Sequence, residues 1–95
     1  MPGYVFANVR IVDRDAYEHY RQMVPEIIER FGGRYLARGD RARVVEGELE
    51  AGRVILLEFP SYEDAERWYT SPEYASAKRL RQGCAVGELV IFEGI

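Results

Sequence analysis

The 95-residue chain contains one cysteine, Cys84, and one histidine, His19. A single cysteine excludes an internal disulfide and suits a reducing cytoplasm, the expected location. One histidine and no paired cysteines leave too few ligands for a metal centre, and no metal is expected. The sequence also has no phosphate-binding glycine loop, nucleophile elbow or metalloprotease helix, so no cofactor is implied. It has no basic excess either: 13 Lys and Arg stand against 16 Asp and Glu, a formal net charge of -3. Neutralising phosphates needs a basic surface, and here the arginines are interleaved with acids, so nucleic acid is not an expected partner. No apolar run is long enough to span a bilayer, and Met1-Pro2-Gly3 lacks the charged and apolar regions of a signal peptide, so no membrane role is expected. Internal repeats, low-complexity segments and linkers are missing.

What the chain does have is the balance of an ordinary globular protein, 47% hydrophobic and 31% charged. Residues 1–95 read as one domain, small enough for a high surface fraction and for help from a partner. The stretch from Arg53 to Tyr74 organises the rest. Val54-Ile55-Leu56-Leu57 is too continuously apolar for a strand with one wet face and predicts a central strand covered on both sides. Ser61, three residues before Asp64, is placed to cap a helix whose apolar positions Tyr62, Ala65, Trp68 and Tyr69 share a face. Ser71-Pro72 ends that helix and starts a second, since proline opposes helical geometry before it but is welcome at a first helical position. The second helix is expected to run to about Gln82, with Gly83 as its stop.

Upstream, Tyr4–Val12 alternates as a strand with one fully apolar and one mixed face. Asp13 or Asp15 can cap the helix that follows, whose stripe is Tyr17, Tyr20, Val24, Ile27 and Phe31. Pro25 falls inside it, where proline costs about 3 kcal/mol in an unrelieved helix; because the stripe stays in phase, a kink is expected rather than a break. Gly32-Gly33 ends the helix. Two short edge strands, Arg34–Arg38 and Arg43–Glu48, are expected on either side of Gly39-Asp40, and a last strand at Glu88–Glu93. This order predicts an α+β, ferredoxin-like antiparallel sheet with its helices on one face. Three strands are apolar on both faces, and helices can cover only one. The other would leave a patch of roughly several hundred Å² in water, most simply covered by a second copy across a two-fold axis. A homodimer is therefore expected.

The ordered set Tyr17 to Tyr20, Val24-Pro25, Phe31-Gly32-Gly33, Arg38-Gly39, Glu46-Gly47, Glu58-Phe59-Pro60-Ser61, Trp68-Tyr69, Ser71-Pro72-Glu73-Tyr74 and Arg81 resembles the domain-of-unknown-function family 1330 over nearly the whole chain. Where that family usually has a second glycine after Arg-Gly, this chain has Asp40, a departure expected to alter only the edge turn. The resemblance implies the dimeric alpha-beta barrel superfamily, two ferredoxin-like subunits with their sheets facing each other. That superfamily includes cofactor-free monooxygenases, isomerases and heme enzymes, so fold alone selects no reaction.

Among individual residues, His19 can serve as a general base, but it lies beside the helix stripe and reads as a surface or boundary histidine. Cys84 has no fixed nearby base and reads as packing. Tyr69 and Tyr74 flank the Ser71-Pro72 break, Arg81 follows Tyr74 by two helical turns, and Arg38 closes a strand by a glycine turn. Together these four could line a pocket for a small aromatic or carboxylate-bearing ligand, because a guanidinium fork matches a carboxylate and stacks on rings. The competing and favoured reading pairs Glu73 or Glu58 with Arg81 or Arg38 as a structural brace. Glu58 shares a face with Val54 and Leu56, so it should be partly buried and needs a donor. Three functional readings stay open. The first is a homodimeric small-molecule-binding domain with a pocket between sheet and helices. The second is a cofactor-free enzyme of monooxygenase or isomerase type, in which His19 or Glu58 moves a proton while the arginines and tyrosines steady an enolate. The third is a structural dimer with no ligand.

Overall fold

The computed structural model describes the whole chain, Met1–Ile95. Strand β1 (Gly3–Ile11) is the centre of a four-stranded antiparallel sheet, between β3 (Arg53–Phe59) and β4 (Ala85–Glu93), with β2 (Arg34–Gly39) on the free side of β3. Helix α1 (Arg14–Arg30) follows β1, and α2 (Tyr62–Thr70) and α3 (Pro72–Cys84) follow β3. The strand order β2-β3-β1-β4 with this connectivity is the ferredoxin-like arrangement. No helix is long and apolar enough to cross a membrane.

The helices begin where local chemistry directs. Asp13 caps α1 by accepting from the Ala16 N–H at 3.1 Å, and the buried stripe is Tyr17, Tyr20, Val24, Ile27 and Ile28. α1 runs through Pro25, which lies at an exposed position. It ends on Gly32, whose φ of 80° is the left-handed conformation that a Cβ resists. Ser61 caps α2, accepting from the Asp64 N–H at 3.1 Å. Ser71, itself buried, serves two helices: its Oγ donates to the Trp68 carbonyl at the end of α2 (2.8 Å) and accepts from the Tyr74 N–H at the start of α3 (3.1 Å).

Three expected boundaries shift. Gly83 does not stop α3, which continues to Cys84; the end is satisfied by tertiary contacts, the Val12 and Asp13 N–H groups donating to the Cys84 carbonyl at 2.8 and 3.0 Å. β4 begins at Ala85 rather than Glu88, because pairing with β1 extends to Ile11↔Ala85. The expected strand Arg43–Glu48 does not form, and residues 40–52 are a connection without regular structure. Within Arg43–Glu48 only Val44 and Val45 are apolar, too little to hold an edge strand. The end of this loop is instead tied to the sheet by Asn8, fully buried at 0% exposure. Its Nδ2 donates to the Glu50 carbonyl (2.8 Å) and to Glu88 (3.1 Å), and its Oδ1 accepts from the Gly52 N–H (2.8 Å).

Register sorts the side chains onto two faces. Val5, Ala7, Ile55, Leu57, Leu89 and Ile91 share the helix side, packed beneath Trp68, Tyr74 and Ile28. Tyr4, Phe6, Val54, Leu56, Val90 and Phe92 share the outer side with Asn8; apart from the loop end that seals Asn8, no helix lies over this face, and Val90 and Phe92 are 50% and 42% exposed. β2 carries a bulge, its pairing passing from Tyr35↔Leu57 to Ala37↔Leu56 with Leu36 as the extra residue. Tyr35 and Arg38 thereby reach the same, helix-facing side, and the Arg38 guanidinium carbon sits 4.8 Å from the centre of the Tyr35 ring.

Candidate functional site

Between the sheet and the helices lies a narrow cavity of about 30 Å³, room for about two water-sized groups. Most of its wall is aliphatic, from β1, β3 and α1. Its polar lining comes from four elements: Tyr17, Tyr20 and Arg21 on α1, Tyr35 and Arg38 on β2, Arg53 on β3, and Arg81 on α3. No carboxylate and no imidazole lines it. An open groove of about 630 Å³ adjoins it, sharing Val9, Tyr17, Arg21 and Arg53.

The charges in this wall are unevenly paired. Arg21 holds Glu18 through two contacts of 3.1 Å, and Arg53 reaches Asp40 at 3.3 Å. Arg38 and Arg81 form no ion pair. Burial works against the Arg81 charge, but its interactions with Tyr74, Tyr20 and Tyr69 outweigh that and raise its pKa. Burial pushes the Tyr20 hydroxyl well above its ordinary 10.0, helped by Tyr74, with which it shares a hydrogen bond of 2.7 Å. Burial also raises Tyr17 and Tyr35. All three phenols are therefore protonated donors at neutral pH. Three buried side-chain nitrogens in the molecule find no acceptor in the protein: Nε of Arg53, Nε1 of Trp68 and Nε of Arg81. All three residues line this one cavity. A buried unsatisfied donor costs about 1–3 kcal/mol, and the residues that carry all three such donors stand around this one cavity.

Of the residues singled out in the sequence, the fold brings Arg38 and Arg81 to the cavity. Tyr74, at 0% exposure, stands directly behind Tyr20. Tyr69 is one ring further, 6.1 Å from Tyr74 between centres, and is covered by Lys78 at 4.3 Å. His19 is exposed on α1. Glu58 is on the outer face with Leu56 and pairs with Arg34 at 2.8 Å. The expected brace of Glu73 or Glu58 with Arg81 or Arg38 does not form, since Glu58 takes its donor from the neighbouring strand. Cys84 is buried at 2% exposure, and burial raises its thiol pKa. Asp40 does more than reshape the edge turn, because it holds Arg53.

Arg53, Arg21, Tyr17, Tyr20 and Tyr35 were not singled out as site residues. For Arg53 a signal exists: in an alternating strand it is in phase with Ile55 and Leu57, so a charge is directed at the core side. The tyrosines of α1 carry no such mark, since a cavity wall and a packed core have the same helical spacing.

Solved structures share this arrangement. A protein of unknown function from Rhodopseudomonas palustris aligns with a TM-score of 0.79 at 22% identity, over 99% of this chain and 82% of that one. SnoaB, a cofactor-independent oxygenase from Streptomyces nogalater, aligns at 0.68 and 7% identity over 99% and 93%. HapK from Hahella chejuensis aligns at 0.65 and 12% identity over 98% and 92%. At these identities the likeness is one of fold. No match is found among curated protein sequences. Residues 2–95 match the family model described as Domain of unknown function (DUF1330), and the chain belongs to that family.

Proposed function

We propose that this protein is a homodimeric small-molecule-binding domain whose pocket between sheet and helices is the narrow cavity together with the groove that adjoins it. The observation that carries the reading is that the residues carrying all three acceptorless buried nitrogens line one cavity, whose wall contains arginines and tyrosines and no acid. Buried donors of this kind are retained where something meets them. The outer face supports the dimer: Tyr4, Phe6, Leu56, Val90 and Phe92 form an apolar surface that a second copy of the same sheet would cover. A single, buried Cys84 fits a reducing cytoplasm.

The fold shared with a cofactor-independent oxygenase supports a second reading, a cofactor-free enzyme. Protonated tyrosines and arginines suit the stabilisation of an enolate or phenolate oxygen. Proton removal is less well served, because His19 and Glu58 both lie away from the cavity and its phenols are held in the acid form. Binding is therefore the better-supported activity.

Native mass spectrometry of the purified protein tests the proposal. A dimer carrying or taking up a small molecule is the expected result. A bare dimer that takes up nothing from a small-molecule extract reduces the protein to a structural dimer, and a monomer at micromolar concentration overturns the assembly. Turnover of any retained molecule that falls in His19→Gln or Glu58→Gln, with affinity unchanged, would move the assignment to the enzyme.

A further inference from the structure

Arg53 stands where the inner cavity and the outer groove meet, lining both. Its side chain is 15% exposed, its Nε has no acceptor, and its only carboxylate is Asp40, at 3.3 Å from Nη1. That is longer than the roughly 2.7–2.9 Å of a good charge-assisted bond. Asp40 is 80% exposed and sits at the start of the irregular 40–52 connection. The pair is thus lopsided: a largely buried guanidinium with most of its donors unused, met by one solvated carboxylate through a single long contact.

The other groove arginines are differently placed. Arg10 is gripped by both oxygens of Glu88 (3.1 and 3.0 Å), and Arg21 by both oxygens of Glu18. Arg14 is exposed at the rim and has no carboxylate partner. Among the groove arginines, only Arg53 combines burial, free donors and a position against an apolar wall.

Resting on the reading of the cavity as a ligand site, we propose that Asp40 stands in for the carboxylate of the ligand on Arg53. The ligand is then a monocarboxylate with a flat apolar body, its acid bonded in fork geometry to Arg53 and its body laid against Val9 and Tyr17 where groove and cavity join. Binding exchanges one carboxylate for another: Asp40 swings into solvent, and the Arg53 guanidinium gains two aligned acceptors. Asp40 sets the affinity by competition and excludes neutral molecules of the same shape, which cannot replace its charge.

The test is an amide and side-chain NMR titration of the full chain with benzoate, with its neutral isostere benzamide, and with inorganic phosphate as a control for bare anion attraction. Benzoate is expected to shift Val9, Tyr17 and Arg53 and to bind at least about tenfold more tightly than benzamide. Asp40→Asn should tighten benzoate about threefold, the worth of a mostly solvated pair, and Arg53→Gln should abolish the difference between benzoate and benzamide. Unchanged or weaker benzoate binding in Asp40→Asn overturns the proposal, as does phosphate shifting the same residues as strongly as benzoate. Benzamide binding there as well as benzoate sinks the carboxylate assignment but leaves the ligand site standing. If neither aromatic shifts any cavity residue, the ligand-site reading falls as well. Asp40 is solvent-exposed, so its variant keeps the test decisive even if Arg53→Gln does not fold.

Discussion

The hydroxyls of Tyr20 and Tyr74 meet at 2.7 Å across the packing of α1 on α3, 54 positions apart in the chain. Tyr74 is fully buried, and Tyr20 is nearly so and lines the cavity. One hydroxyl donates and the other accepts, which leaves the acceptor's own proton to be placed. Either hydroxyl can be the donor, and Arg81 lies beside Tyr74.

Removing either hydroxyl leaves the other buried without its partner. Tyr20→Phe and Tyr74→Phe should each destabilise the fold by about 1–2 kcal/mol, and the double variant by clearly less than the sum, since the second removal abolishes an already orphaned group. Denaturant titration of the four proteins measures this; strict additivity would show that the two hydroxyls do not interact.

The same burial predicts the response to base. The folded pKa of Tyr20 is raised well above 10.0 by burial first and by Tyr74 second. Its contribution is fully present below the unfolded value and is lost as pH rises above about 10 towards the folded value, because the unfolded chain then holds fewer protons. Thermal melts should fall on that alkaline side, and Tyr20→Phe should flatten the fall. A wild-type melting temperature constant through this window would contradict the buried bond.

On the acid side the sign reverses. The Glu88 carboxyl is held below its ordinary 4.5 by hydrogen bonds from Arg10 and then Asn8, and Asp64 is held down by Arg67 and then Ser61. Their contributions are present above the unfolded values and disappear as pH falls through the lower, folded ones. Glu88→Gln should therefore lower the denaturation midpoint at neutral pH and reduce its slope below about pH 4.5. An unchanged acid slope would show that the Arg10–Glu88 contact is solvated away.

The outer face gives a test of assembly that leaves the cavity untouched. Leu56 sits among Phe6 and Val54 on that side, so Leu56→Asp should convert a dimer to a monomer by placing a charge in a dry interface. Sedimentation equilibrium reads the change. A Leu56→Asp protein that remains fully dimeric would mean that the copies meet elsewhere.

The readable features in the sequence were those decided within a few residues. Ser61 and Ser71-Pro72 mark helix ends because capping is a contact of three positions, and the structure uses both serines in that way. The 40–52 connection was not readable, because its anchor is Asn8, 42 positions from Glu50, and an edge segment becomes a strand only if a distant partner accepts it. Neighbouring glycine and tyrosine signals point to Arg38 and Arg81, and both do line the cavity. Tyr17 and Tyr20 could not be separated from the core, since spacing reports a buried face and not whether the face is filled.

The extra residue at Leu36 gives strand β2 something like a reading frame. Past it, Arg38 falls on the helix side with Tyr35; if the same residues paired one for one with no bulge, Arg38 would stand opposite Val54 and its guanidinium would point to the outer side. A substitution at Arg38 changes one property of one compartment. Deleting Leu36 would leave Arg38 two positions past Tyr35 and so still on the helix side, whereas flattening the bulge with Leu36 retained would move a positive charge out of the cavity wall and into the apolar outer face, altering both compartments at once without changing the identity of any residue. In this strand, register is therefore a more consequential variable than composition.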